Sequence, residues 1–163
     1  MTSEVKFEPR VSVFLTCEVI DRPRSREASF TGLEACKHEE KTMESPSSLA
    51  DRYVAVWNES DAERRRSKIV DLWIPRGRHY VGDRKVEGYD ALEIRVRESY
   101  EKNVRDNANR FRAADDARRV HDVVIFHWEM LPASGEAVLA RGLEFLFVDG
   151  SGKIVADYQF FPA

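Results

Sequence analysis

Cysteine is scarce in this chain: there are two in 163 residues, Cys17 and Cys36, and none beyond position 42. Neither has metal-ligand spacing, and two thiols make no disulfide framework, so both read as incidental free thiols. Long apolar runs are missing as well. No stretch approaches the ~20 residues that a membrane-spanning helix requires. The N-terminus lacks the charged-then-apolar pattern of a secretory signal, so a cytoplasmic protein is expected. Charge of one sign is equally absent, since 26 Lys+Arg stand against 29 Asp+Glu, mixed throughout, for a net −3. That balance excludes the basic footprint of a nucleic-acid binder. The one basic run, Arg64-Arg65-Arg66, is expected on the solvent side of a helix. No Gly-rich loop follows a strand to cradle phosphate, no nucleophile elbow occurs, and no His/Cys/Asp cluster shows ligand spacing. Neither a cofactor nor a metal is expected.

What is present suits one globular domain with a real core, with 42% hydrophobic and 34% charged residues. Patterning changes near residue 43. Residues 1–42 hold one short strand-like run at 11–15 and then a polar stretch, and are expected to be a poorly ordered extension. An overlong start, with Met43 as the initiator, is the alternative. Beyond it, Ser45 and Pro46 open a helix whose apolar face is Leu49, Tyr53, Val56 and Trp57. A second helix follows at once, with Ser60-x-x-Glu63 as capping box and Ile69, Leu72 and Trp73 as its stripe. Pro75-Arg76-Gly77 is expected to stop it, before short strands at 78–81 and 85–87. A third helix follows Gly88, with Asp90 and Glu93 as cap pair and Leu92, Val96 and Tyr100 on one face. Strands at 111–119, 120–131, 137–148 and 154–161 complete the chain, with Pro132–Gly135 and Asp149–Gly152 turning the last two hairpins. Three helices ahead of a strand meander predict an α+β domain at 43–163, with the helices on one face of a curved, mostly antiparallel sheet.

Strand alternation divides side chains between the faces. Asp122, Val124, Phe126, Trp128 and Met130 share the face richer in large aromatics, taken as inward, with Gly142, Glu144 and Leu146 beside them. His121, Val123, Ile125, His127, Leu131, Leu143, Phe145 and Phe147 share the other, which is too apolar for a solvated sheet surface.

Three groups of residues carry a resemblance. They are Tyr53-x-x-x-Trp57-Asn58-Glu59-x-Asp61 with Leu72-Trp73-x-Pro75, then Val86-x-Gly88-x-Asp90-Ala91-Leu92, and finally a C-terminal set. The last comprises His121-Asp122, Phe126-x-Trp128-Glu129, Gly142-Leu143-Glu144, Asp149-Gly150 and Asp157-Tyr158. In order and spacing, residues 46–161 resemble a SnoaL-like protein of the nuclear transport factor 2-like superfamily. The resemblance implies a cone, its sheet curled around an internal pocket closed by helices. It also implies a homodimer through the sheet, and a chemistry drawn from polyketide cyclases, ketosteroid isomerase-like enzymes, dehydratases or hydrolases, or none.

Within that frame, Glu144 matches an inward acid that family members often carry after a Gly-Leu pair, suited to general acid or base work if burial raises its pKa. A structural glutamate paired with Arg141 or another basic group is the alternative. His79 is a candidate proton shuttle, against a satisfied polar group at a sheet edge. Tyr53 stands where ketosteroid isomerase-like enzymes place an oxyanion-stabilising hydroxyl. Asp157 resembles a late-strand acid of the family, against an aspartate at the rim. Trp57, Trp73, Phe126 and Trp128, with Asp122 and Asp157, are the candidate ligand contacts. Two functions remain open: binding of a small, mostly apolar molecule without assigned activity, towards which the sequence leans, or an isomerase, cyclase or dehydratase working through Glu144 or His79 with Tyr53.

Overall fold

The computed structural model of the protein describes residues 44–161; both cysteines, the strand expected at 11–15 and the extension expected at 1–42 lie outside the described residues. α1 spans Pro46–Trp57, and Ser45 caps it by accepting from the Ser48 N–H at 3.1 Å. α2 spans Ala62–Leu72, and here the expected cap moves by one residue. Asp61, not Ser60, accepts from the Arg64 N–H at 2.8 Å, and its negative charge also meets the positive helix end. Arg65 likewise departs from expectation: it is buried and bonds Glu93 at 2.9 Å, while Arg64 and Arg66 stay towards solvent.

β1 (Trp73–Val81) begins directly after α2. Pro75-Arg76-Gly77 therefore does not follow a helix end but lies within the strand. The register against β7 jumps between Trp73 and Arg78, because proline has no N–H to give the ladder and the segment bulges. β2 (Arg84–Glu87) folds back on β1. α3 (Tyr89–Ser99) starts at Gly88, whose φ of 84° favours glycine, and no side chain caps it, so Asp90 and Glu93 are not a cap pair. A π-helix, Tyr100–Arg105, extends α3.

The remaining strands are β3 (Asn109–Ala113), β4 (Arg118–Val120), β5 (Val123–Pro132), β6 (Ala140–Val148) and β7 (Ile154–Phe160). The run expected at 111–119 is thus two strands, and His121, at φ 53°, turns the chain between β4 and β5. The sheet is open, ordered β2-β1-β7-β6-β5-β3, with β4 on β5. Every pairing is antiparallel except β1 with β7. α1, α2 and α3 pack on the inner face of this curved sheet around a core that includes Leu49, Ile69, Leu92, Val124, Phe126 and Leu146. Leu131, expected outward, is fully buried. No helix among the described residues is long and apolar enough to cross a membrane.

Candidate functional site

The parallel pairing of β1 with β7 sets His79 beside Asp157. The β6–β7 register sets Glu144 beside Gln159 and Leu146 beside Asp157, so both acids rise from the inner face one rung apart. α1 lays Tyr53 across them. Its hydroxyl oxygen is 2.9 Å from Glu144 Oε1 and 2.8 Å from Asp157 Oδ2. Asp157 also meets His79 Nδ1 at 2.5 Å, and accepts from the Trp73 indole N–H at 3.0 Å. His79, Glu144 and Asp157 are fully buried, so Asp157 is no rim residue and β1 no sheet edge, since β2 covers its other side.

One hydroxyl proton cannot serve two carboxylates. Burial first, and then the Asp157 charge, push Glu144 well above the usual carboxylate range. Glu144 is thereby biased towards its protonated form, with the Tyr53 hydroxyl and the Asp157 carboxylate both close to its carboxyl group. Burial, followed by the two acids, also pushes Tyr53 well above its ordinary value. Asp157 thus gathers contacts from Tyr53, Trp73 and His79. The partner suggested for Glu144 by sequence is elsewhere: Arg141 reaches Asp116 at 3.4 Å.

Ligand-type atoms of His79, Glu144 and Asp157 lie within 4.8 Å of one another, a convergence that sequence spacing did not reveal. A cation there would compete with the contacts that Tyr53 and His79 already make with Asp157.

Against this network lies a cavity of about 520 Å³. Its wall is mostly aromatic and apolar, with Tyr53, Trp57, Phe111, Trp128, Met130 and Phe161, and Arg95, Ser99, Lys102, Asn103 and Gln159 interrupt it. Tyr53 alone belongs to both wall and network. Trp57 and Trp128 line the cavity. Trp73 and Phe126 instead pack around Tyr53, with ring centroids 5.4 and 5.6 Å from it. Asp122 is not brought to the site: it is exposed in the turn before β5, because the strand starts at Val123 and the alternation does not extend back to it. On the cavity wall, Trp57 Nε1 and Gln159 Oε1 are buried without a hydrogen-bond partner. Each such atom costs about 1–3 kcal/mol, so the arrangement suits polar atoms of a guest molecule.

Sequence reasoning missed Arg95, Ser99 and Gln159. Gln159 was within reach, two residues after Asp157 on the same strand face. Arg95 and Ser99 are four apart on α3, flanking its apolar stripe, and only the helix's packing tells which flank faces inward.

No protein-family profile matches the chain, and no curated protein does. Solved structures do. A candidate isomerase of the SnoaL-like family from Agrobacterium tumefaciens superposes with TM-score 0.64 at 23% identity, covering 71% of this chain and 96% of that one. A nuclear transport factor 2-like protein of unknown function from Exiguobacterium gives 0.54 at 19%, covering 70% and 98%. A candidate polyketide cyclase from Sinorhizobium meliloti gives 0.52 at 7%, covering 69% and 93%. The chain has the SnoaL-like, nuclear transport factor 2-like fold. At these identities the likeness fixes architecture alone, and the SnoaL-like fold hosts more than one chemistry, so function must come from the site itself.

Proposed function

We propose that the SnoaL-like cone takes up a small, mostly apolar molecule and moves a proton on it, as isomerases and cyclases do. The observation that carries this reading is Tyr53, the one residue on the cavity wall that is also bonded to the buried acid pair. A substrate oxygen at Tyr53 would accept the hydroxyl proton, and protonated Glu144 would restore it to the tyrosine, so the pair works as a general acid with a short relay. His79 turns Nδ1 to Asp157 and leaves Nε2 without a partner, which makes it the base-side candidate. Its ring lies 5.4 Å from that of Trp57, which lines the cavity. Contact between His79 and substrate therefore requires the Trp57 side chain to turn aside. We also propose that a second copy of the chain covers the outer face of the sheet.

The test offers small cyclic and aromatic ketones in D₂O and reads deuterium entry beside the carbonyl by NMR. The wild type should promote exchange, and Tyr53→Phe should lower it by about 100-fold, the usual effect of deleting one oxyanion donor. One observation favours the second reading, binding without chemistry: Glu144, His79 and Asp157 are all absent from the cavity wall. Ketones that bind without any exchange would sink the acid–base reading and leave that one.

A further inference from the structure

Arg95 is the strongest polar group on the cavity wall, and the proton network does not use it. Its guanidinium carbon sits 5.0 Å from the centroid of the Trp57 ring. Among the described residues it forms no ion pair, and its buried Nε has no hydrogen-bond partner. Burial lowers its pKa from the ordinary value, yet an arginine remains charged in a protein. A guanidinium withdrawn from water with a ring face as its main compensation is expensive.

Among the described residues no neighbouring acid pairs with it, although Glu98 and Glu144 lie near enough to favour its charge. Glu98, on the same wall, faces Arg84 at 3.9 Å. Glu144 is bonded to Tyr53 on the network side, is absent from the cavity wall and makes no ion pair with Arg95. A second cation adds to the imbalance: the π-helix brings Lys102 to this wall, and it too forms no ion pair among the described residues. π-Helical turns of this kind are frequent at functional sites. The wall is therefore an apolar, aromatic surface holding a partly desolvated positive charge with which no acid of the described residues forms an ion pair. The planar fork of arginine matches a carboxylate through two parallel hydrogen bonds, and the apolar wall suits a hydrocarbon body beside it.

We infer that the molecule held in this cavity is an apolar carboxylic acid, gripped at its carboxylate by Arg95 while its hydrocarbon body lies against Trp57, Phe111 and Trp128. This rests on the reading that the cavity takes a mostly apolar small molecule, but not on any proton chemistry at Tyr53. Lys102 adds attraction without a fixed contact, as a flexible surface ammonium does.

The test is calorimetric titration of the full chain with cyclohexanecarboxylate and 3-phenylpropionate, each beside its methyl ester, at pH 7.5 and low salt. At least one acid should bind about tenfold or more tightly than its ester, as a charge-assisted hydrogen bond predicts. Arg95→Gln should erase that preference while leaving ester affinity unchanged, and Arg95→Lys should keep part of it. Thermal melts of both variants check that they fold, and the acid-over-ester ratio in the wild type stands whether or not they do. The inference is overturned if the wild type favours neither acid, including the case in which none of the four binds, or if Arg95→Gln retains the preference. Acid binding with no proton exchange on ketones would sink the chemistry and keep this inference. Exchange without acid preference would do the reverse.

Discussion

Glu144 carries a consequence for stability as well as for chemistry. Burial and the Asp157 charge raise its pKa in the folded state. The unfolded chain releases that proton near pH ~4.3, the ordinary glutamate value. Above that point the native state binds more protons than the unfolded state, so stability falls as pH rises, until the folded carboxyl itself ionises. Glu144→Gln removes the titration and keeps a neutral group of the same shape beside Tyr53. Urea denaturation at a series of pH values should show the wild type losing stability as pH rises above the ordinary glutamate range, with that component missing in the variant. At pH 7 the variant should be at least as stable. A loss of about 1–3 kcal/mol at pH 7 would instead mean that the core depends on a charged carboxylate. These roles were only half legible in the sequence. Tyr53, His79, Glu144 and Asp157 each stood out by residue type and inward phase, but as separate candidates with separate bland alternatives. Their union depends on contacts between residues 78 and 104 positions apart, and on the parallel β1–β7 register, which no local pattern encodes.

Elements were read well wherever periodicity alone decides them, and poorly wherever a single backbone feature does. α1 and α2 lie within a residue or two of expectation because their stripes repeat at helical spacing. The break between β4 and β5 depends on one left-handed histidine, and the π-helix on one extra residue in a turn, and neither leaves a mark in hydrophobic pattern. β6 shows a subtler dependence. Gly142 pairs across the sheet with Trp128, whose indole lies flat over it, and a Cβ at position 142 would stand 2.3 Å from a ring carbon. The glycine thus determines where a wall of the cavity can stand. Gly142→Ala should cost about 1–3 kcal/mol in urea denaturation, as overpacking of a filled site does. It should also weaken ligand binding by tilting Trp128 into the cavity. An alanine variant with wild-type stability and affinity would show that the indole yields freely and that its position is not set by this strand. Asn58 illustrates a local motif with a long reach: its amide bonds both the N–H and the carbonyl of Phe111 at 2.8 Å. The Trp57-Asn58-Glu59 signature therefore fastens the end of α1 to β3, beside the cavity wall.

Across the whole molecule, the two faces of the sheet have opposite requirements. The inner face is satisfied by α1, α2 and α3. The outer face carries Val123, Ile125, Leu143, Phe145 and Phe147, joined by Tyr80, Tyr158 and Phe160. Aromatic rings run across three adjacent strands there. Tyr80 stacks on Tyr158 at 4.6 Å, Tyr158 meets Phe147 at 5.7 Å, and Phe145 meets Phe160 at 5.5 Å. Phe160 is 52% exposed, Phe147 38% and Tyr158 37%, whereas soluble monomers seldom leave so many contiguous large side chains to water. At its β3–β5 end the same sheet turns ionic, with Arg112 bonded to Glu129 and Glu136 at 2.8 Å, as a polar rim around an apolar centre would be. A two-fold pairing brings identical patches together, so the aromatic centre can meet itself without a second kind of surface. Stable pairing needs roughly 800 Å² from each partner, about what an exposed face of several strands supplies. Light scattering at micromolar concentration should therefore give twice the mass of one chain. Phe147→Glu, which sets like charges against each other at the centre of such a pair, should shift the mass towards one chain while leaving ligand binding in the cavity intact, because Phe147 points away from it. A wild-type chain that scatters as a monomer at those concentrations would rule out the pairing, and some other partner would then have to cover the aromatic face.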